Sequence, residues 1–206
     1  LEIETAAAKV PGAWLQFHGD ESPAECAHWG QRLGRPWLRA ARIPLGEATP
    51  AFDLVKYAQD HSQAKAVLLD AHVDGYGGGG KAFHWSRLPT NVNAHLVLSG
   101  GLTPANVADG MAQVRHRGLS LAVDVSSGIE SAPGIKDTHL MQAFVAAVRA
   151  ADHHAHPARP YPALRLPDAT DAPHLPWPLP VACTLALFPP LWKRAIRPHL
   201  AKWKTA

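Results

Sequence analysis

Cysteine and charge are both scarce in this 206-residue chain, and each scarcity excludes something. Two cysteines, Cys26 and Cys183, stand far apart with no Cys-x-x-Cys spacing, which excludes a disulfide framework and a thiolate zinc site and points to a reducing compartment. Only 18% of residues are charged, and the 20 Lys and Arg are scattered instead of forming a basic run interleaved with aromatics. A formal charge of +3 therefore does not describe a nucleic-acid surface. No apolar run approaches the ~18 residues that cross a bilayer, and residues 1–10 show no basic segment followed by an apolar one. What is plentiful is apolar material, 47% of the chain, enough for one core. The expectation is a soluble, cytoplasmic protein with neither a nucleic-acid nor a membrane partner.

Composition changes near residue 152. The segment from Asp152 to Ala206 holds 11 of the 19 prolines, spaced so that no helix or central strand runs through most of it. The expected organisation is a folded unit over 1–151 and a Pro- and His-rich tail over 152–206, disordered or loosely docked. His153, His154 and His156 invite a metal, but a flexible histidine cluster binds metals loosely, so no metal site and no cofactor are assigned. The short apolar stretch from Val181 to Phe188 either docks on the core or has no native role.

Between residues 13 and 151 the hydrophobic pattern repeats. Apolar runs that read as buried strands occur at Ala13 to Phe17, Trp37 to Ile43, Ala66 to Leu69, Leu96 to Leu98 and Leu121 to Val125. Their starts are 24, 29, 30 and 25 residues apart, the length of one strand plus one crossover helix, which predicts βα units and a parallel sheet. Ser22-Pro23-Ala24-Glu25 supplies a capping serine, a first-turn proline and a glutamate three residues after the cap; Thr103-Pro104 repeats the cap and proline. A last helix is expected over roughly Lys136 to Ala151, with Leu140, Phe144 and Val148 on the face toward the sheet. Between Trp85 and Leu88 there is room for little more than one helical turn.

The unusual residues follow the strands, where open parallel sheets and closed barrels both build ligand sites. Ser99-Gly100-Gly101-Leu102-Thr103 and Ser126-Ser127-Gly128 put bare backbone before helix starts, where N–H groups approach an anion. Either could be a plain turn; as a pair on the last two strands they suit a phosphate. Asp70 follows Ala66-Val67-Leu68-Leu69 at the mouth of the sheet, where burial raises an acid's pKa, or else it merely caps the next turn. Gly75-Tyr76-Gly77-Gly78-Gly79-Gly80-Lys81 is a mobile flap or a flexible turn. His18 is a substrate donor or a structural one. Cys26, inside a predicted helix, is read as packing.

Five strings taken together resemble a known family: Leu15-Gln16-Phe17-His18-Gly19-Asp20-Glu21, Leu68-Leu69-Asp70, Gly78-Gly79-Gly80-Lys81, Leu98-Ser99-Gly100-Gly101-Leu102 and Asp124-Val125-Ser126-Ser127-Gly128-Ile129-Glu130. In order and spacing, residues 1 to about 151 are similar to phosphoribosylanthranilate isomerase of tryptophan biosynthesis. The resemblance implies an α/β fold of the (β/α)8 barrel family with about five C-terminal βα units, strands 4 to 8, and an Amadori rearrangement of a small sugar-phosphate substrate. It implies that Asp70 is the general acid for the ring oxygen. Gly100, Gly101, Ser126 and Ser127 match the phosphate turns, His18 a residue near the anthranilate, and Asp124 stands with them among the substrate-binding positions.

The family's Lys-x-Cys-Gly strand, whose cysteine is the general base, and its Ser-Pro-Arg segment do not occur in this sequence. Residues 1–11 resemble the end of the helix before the fourth strand, so three βα units are expected to be missing and the tail matches nothing in the family. The tail's composition fits a disordered extension or a frame-shifted reading equally. The expectation is an isomerase by descent that is inactive as this chain alone, with association through open sheet edges. The alternative is a non-catalytic sugar-phosphate-binding half-barrel or a pseudogene-like product.

Overall fold

The computed structural model describes residues 2–44, 52–72, 85, 88–155 and 183–185. Within them run α1 (Glu2–Lys9), β1 (Leu15–Phe17), α2 (Pro23–Leu33), β2 (Trp37–Pro44), α3 (Leu54–Asp60), β3 (Ala66–His72), β4 (His95–Leu98), α4 (Val107–Val114) and β5 (Ser120–Val125), helix and strand alternating except between β3 and β4, where no α-helix lies among the described residues. A short hairpin of β6 (Glu130–Ala132) and β7 (Ile135–Lys136) leads to α5 (Thr138–Ala155), and β8 (Cys183–Leu185) follows. The main sheet is entirely parallel in the order β1-β2-β3-β4-β5-β8, so the five strands expected from the repeat are neighbours in space as in sequence. No helix among the described residues is long and apolar enough to cross a membrane.

Both faces of the sheet are covered, which is why its strands read as continuous apolar runs. Ala41, Ile43, Val67, Leu69, Leu96, Leu98, Leu121, Val123 and Val125 form one core with helix residues Leu54, Val107, Met111, Val114, Phe144 and Val148. The alternate positions Leu38, Ala40, Ala66, Leu68, Val97 and Ala122 pack together on the opposite face. That inner layer is rich in alanine, which suits the concave side of a curling sheet.

The serine signal at α2 holds in full. Ser22 accepts from the Glu25 amide at 3.2 Å while the Glu25 carboxylate accepts from the Ser22 amide at 2.7 Å, and the helix closes on left-handed Gly34. Thr103-Pro104 behaves differently: it opens a turn, and α4 starts three residues later at Val107. The side chain of Asn106 ties that turn instead, accepting from the Thr103 amide at 2.8 Å and donating to the Gly101 carbonyl at 3.0 Å.

Several boundaries move for local reasons. β1 begins at Leu15, not Ala13, because the Ala13 carbonyl accepts from the Arg35 guanidinium and pairing starts at Leu15 against Trp37. β3 continues past Leu69 through Asp70 to His72, since ladder hydrogen bonds are made by backbone whatever the side chain. The last helix starts at Thr138, not Lys136: Asp137 caps it by accepting from the Leu140 amide at 2.9 Å, and Lys136 belongs to the hairpin. α5 runs on to Ala155, with Asp152 only 1% exposed beside Arg115, while Phe144 and Val148 face the sheet and Leu140 packs at its margin. Cys183–Leu185, within the apolar stretch of the proline-rich segment, is a parallel strand beside Val123–Val125. The Gly75 to Lys81 loop and His156 lie outside the described residues.

Candidate active site

Strand alternation assembles the site. One pleat beyond the inner apolar layer, the same parity that buries Leu38 and Ala40, Ala66 and Leu68, Val97, and Ala122 brings Arg42, Asp70, Ser99 and Asp124 to one rim at the carboxyl ends of β2 to β5. His18, just past β1, joins them: its Nε2 donates to the Asp70 Oδ2 at 2.9 Å, and its Nδ1 accepts from Gln16 Nε2 at 3.3 Å. These two partners together fit the neutral Nε2–H tautomer.

The loop that carries His18 is clamped from below. Arg39, 5% exposed on the helix-facing side of β2, donates to the carbonyls of Phe17 at 3.0 Å and Gly19 at 3.1 Å and to Glu21 Oε2 at 3.0 Å. On the solvent side Arg42, whose backbone is in register with Asp70, donates to Asp20 of the same loop.

Two carboxyls face one another electrostatically on this rim, in different surroundings. Asp124 has its pKa raised, first by burial and further by the charge of Asp70, against the lowering effect of the Ser99 hydroxyl that donates to it at 3.2 Å. Asp70 is 27% exposed and paired with His18.

The two glycine turns touch. Gly100 and Gly101 both take positive φ, +78° and +67°, a pair of left-handed residues that only glycine adopts without penalty. A Cβ on Gly128 would stand 1.8 Å from the Leu102 carbonyl oxygen, so the Ser126-Ser127-Gly128 turn lies directly against the Gly100–Gly101 turn. The turn after Ser126 is a 3-10 helix of Ser127–Ile129, whose first N–H groups have no carbonyl inside the turn to bond. Lys136 reaches back from β7 and donates to the Ser126 carbonyl at 2.8 Å.

The family model of N-(5'-phosphoribosyl)anthranilate (PRA) isomerase matches residues 2–147. The chain belongs to the phosphoribosylanthranilate isomerase family. It is 54% identical over 151 residues to the N-(5'-phosphoribosyl)anthranilate isomerase of Leptothrix cholodnii, covering 73% of this chain and 63% of that protein. The Methylibium petroleiphilum isomerase is 55% identical, with 73% of this chain and 65% of that one covered. The solved phosphoribosyl anthranilate isomerase of Thermococcus kodakaraensis superposes with a TM-score of 0.50 at 31% identity, covering 72% of this chain and 69% of that chain. The chain thus spans about 63% of the length of the first relative. The parallel βα sheet is that of the family's barrel, present here as five consecutive units.

Of the residues singled out in the sequence, His18, Asp70 and Asp124 share the rim, and Gly100, Gly101, Ser126 and Ser127 share the adjoining turns. Cys26 is fully buried in α2, where burial pushes its thiol up to about 11. Arg42, Lys136 and the side chain of Ser99 are not among the residues singled out. Ser99 and Arg42 were findable from alternation, standing two residues beyond Val97 and Ala40; Lys136 was hidden by its assignment to the helix that follows.

Proposed function

We propose that this chain carries the acid and phosphate half of a phosphoribosylanthranilate isomerase acting in cytoplasmic tryptophan biosynthesis. The single observation that supports the reading best is the contact of the Gly100–Gly101 and Ser126–Gly128 turns beside a rim bearing His18, Asp70 and Asp124. In this reading the phosphate of the substrate lies over the two turns, and the ribose ring extends toward the rim. Asp70 delivers a proton to the ring oxygen as the ring opens, with His18 fixing the carboxyl's orientation through Oδ2. Asp124, buried on the same rim and accepting from the Ser99 hydroxyl, is a hydrogen-bond partner for the sugar hydroxyls. The proton on C2 needs a base, and positioned proton transfer is worth roughly 10²- to 10⁴-fold for each group.

A second reading, a sugar-phosphate-binding half-barrel without catalysis, is favoured by one observation. Both ring nitrogens of His18 are engaged, and Cys26 is sealed in α2, so neither is a free base on the described rim. The test is complementation. The part of the Leptothrix cholodnii isomerase that this chain does not match is co-expressed with the full chain, and consumption of phosphoribosylanthranilate is followed. Turnover that appears only with both pieces, and is abolished by Asp70→Asn, supports the isomerase reading. Phosphate binding with no turnover in the complemented pair leaves the second reading standing and removes the first.

A further inference from the structure

Lys136 is the residue of the site whose purpose neither the fold nor the proposed chemistry explains. Its ammonium donates to the Ser126 carbonyl at 2.8 Å and Glu130 Oε1 at 2.8 Å, with the Ser126 hydroxyl at 3.4 Å. Glu130 uses its other oxygen to accept from the Gly134 amide at 2.9 Å, so the carboxylate ties the hairpin turn with one oxygen and the lysine with the other. The whole hairpin, β6 to β7, is therefore a brace that returns the chain across ten residues to the turn it has just left. The Lys136 and Glu130 side chains are only 24% and 15% exposed, so this is not a solvated surface pair.

We propose that Lys136 is a positioning residue for the phosphate turn, acting through the Ser126 carbonyl and not as a direct cationic ligand. The inference rests on the phosphate reading of the two turns. Two features favour positioning. The ammonium is neutralised by Glu130, so it presents little net attraction to an incoming anion. Meanwhile the peptide whose carbonyl it holds is the one that opens the Ser127–Ile129 turn. Fixing that carbonyl fixes the direction of the N–H groups that follow, and fixed N–H dipoles bind an anion without first having to be ordered.

The experiment is a titration of the full chain with inorganic phosphate, read as amide shifts in two-dimensional NMR, with urea unfolding of each variant run in parallel. The wild type is expected to shift amides at Gly100, Gly101, Ser127 and Gly128. Lys136→Met is expected to weaken phosphate binding about tenfold, roughly 1.4 kcal/mol, with the loss concentrated at Ser127 and Gly128. Lys136→Arg, which keeps a donor in place, should recover most of it. Glu130→Gln separates the two roles and also serves if Lys136→Met does not fold. A positioning lysine loses its brace in that variant and binding weakens, whereas a direct ligand loses a competing carboxylate and binding strengthens. Strengthening in Glu130→Gln, or unchanged binding in Lys136→Met, overturns the proposal. No shift at either turn in the wild type overturns the phosphate reading itself and the role of Lys136 with it.

Discussion

Gly128 rests its α-carbon against the carbonyl of Leu102 with no room for a side chain, and this close approach sets turns from two different βα units side by side. Gly128→Ala would drive a methyl into backbone that has no flexible end to swing away. It is expected to destabilise the chain by roughly 1–3 kcal/mol, the range for an overpacked site, and to abolish phosphate-induced shifts at both turns. Gly34→Ala is the control: it is left-handed with open space around it, and should cost only about 1 kcal/mol without touching phosphate binding. Urea titration and the phosphate titration together read both effects. Retained shifts at both turns in Gly128→Ala would refute the coupling.

Asp124 makes the stability of the chain depend on pH in a particular sense. Its carboxyl holds a proton to higher pH in the folded chain than in the unfolded one. The folded state is therefore favoured at pH values below the ordinary carboxylate range, and that advantage is lost as pH rises from the ordinary value through the raised one. Asp124→Asn carries no charge to bury and can still accept from the Ser99 hydroxyl. It is expected to be more stable than the wild type at pH 7 and no more stable at pH 3, by urea unfolding monitored through tryptophan fluorescence. Equal stability of the two proteins at pH 7 would contradict the assignment.

Arg39 holds the His18 loop from a buried position, so its removal takes the donor from the Phe17 and Gly19 carbonyls and leaves Glu21 with the Gly19 amide at 2.9 Å. Arg39→Met is expected to cost roughly 1–3 kcal/mol, the range for leaving buried carbonyls without their donor. Hydrogen exchange should quicken first at residues 17–21, while β4 and β5 keep their protection. Uniform loss of protection across the sheet would show that Arg39 supports the fold and not the loop.

The sheet was legible in the sequence because each inner strand is buried on both faces, so Val67-Leu68-Leu69 and Leu121-Ala122-Val123 needed no knowledge of their neighbours to be recognised. The ends were less legible. A run of apolar letters stops at Leu69, but the ladder goes on through Asp70, whose backbone pairs with Arg42 regardless of its charge. Lys136 continues an apparent helical pattern, yet the Pro133-Gly134 pair two residues upstream carried the turn signal that the hairpin obeys. Direct contact was beyond either string: His18 and Asp70 are 52 residues apart, and their hydrogen bond depends on the sheet setting β1 and β3 on either side of β2. The strand at Cys183–Leu185 was one of two open options, because proline density describes where ladders fail and says nothing of three residues between prolines that can join one.

The strand order has a consequence for how such a molecule tolerates loss. From β1 to β5 every strand pairs with the one that comes next in sequence, so the sheet is a chain of nearest-neighbour steps, each about one βα unit long. Stability in an array of this kind is close to a sum over adjacent interfaces, as in a stacked repeat protein. Deleting units from one end then subtracts the terms at that end and leaves the interior terms intact. What is forfeited is closure, the one interface joining first unit to last. A barrel built this way has its natural seams between units, and the rim of His18, Asp70 and Asp124 and the turns at Gly100–Gly101 and Ser126–Gly128, lying within β1 to β5, stay together on one side of such a seam.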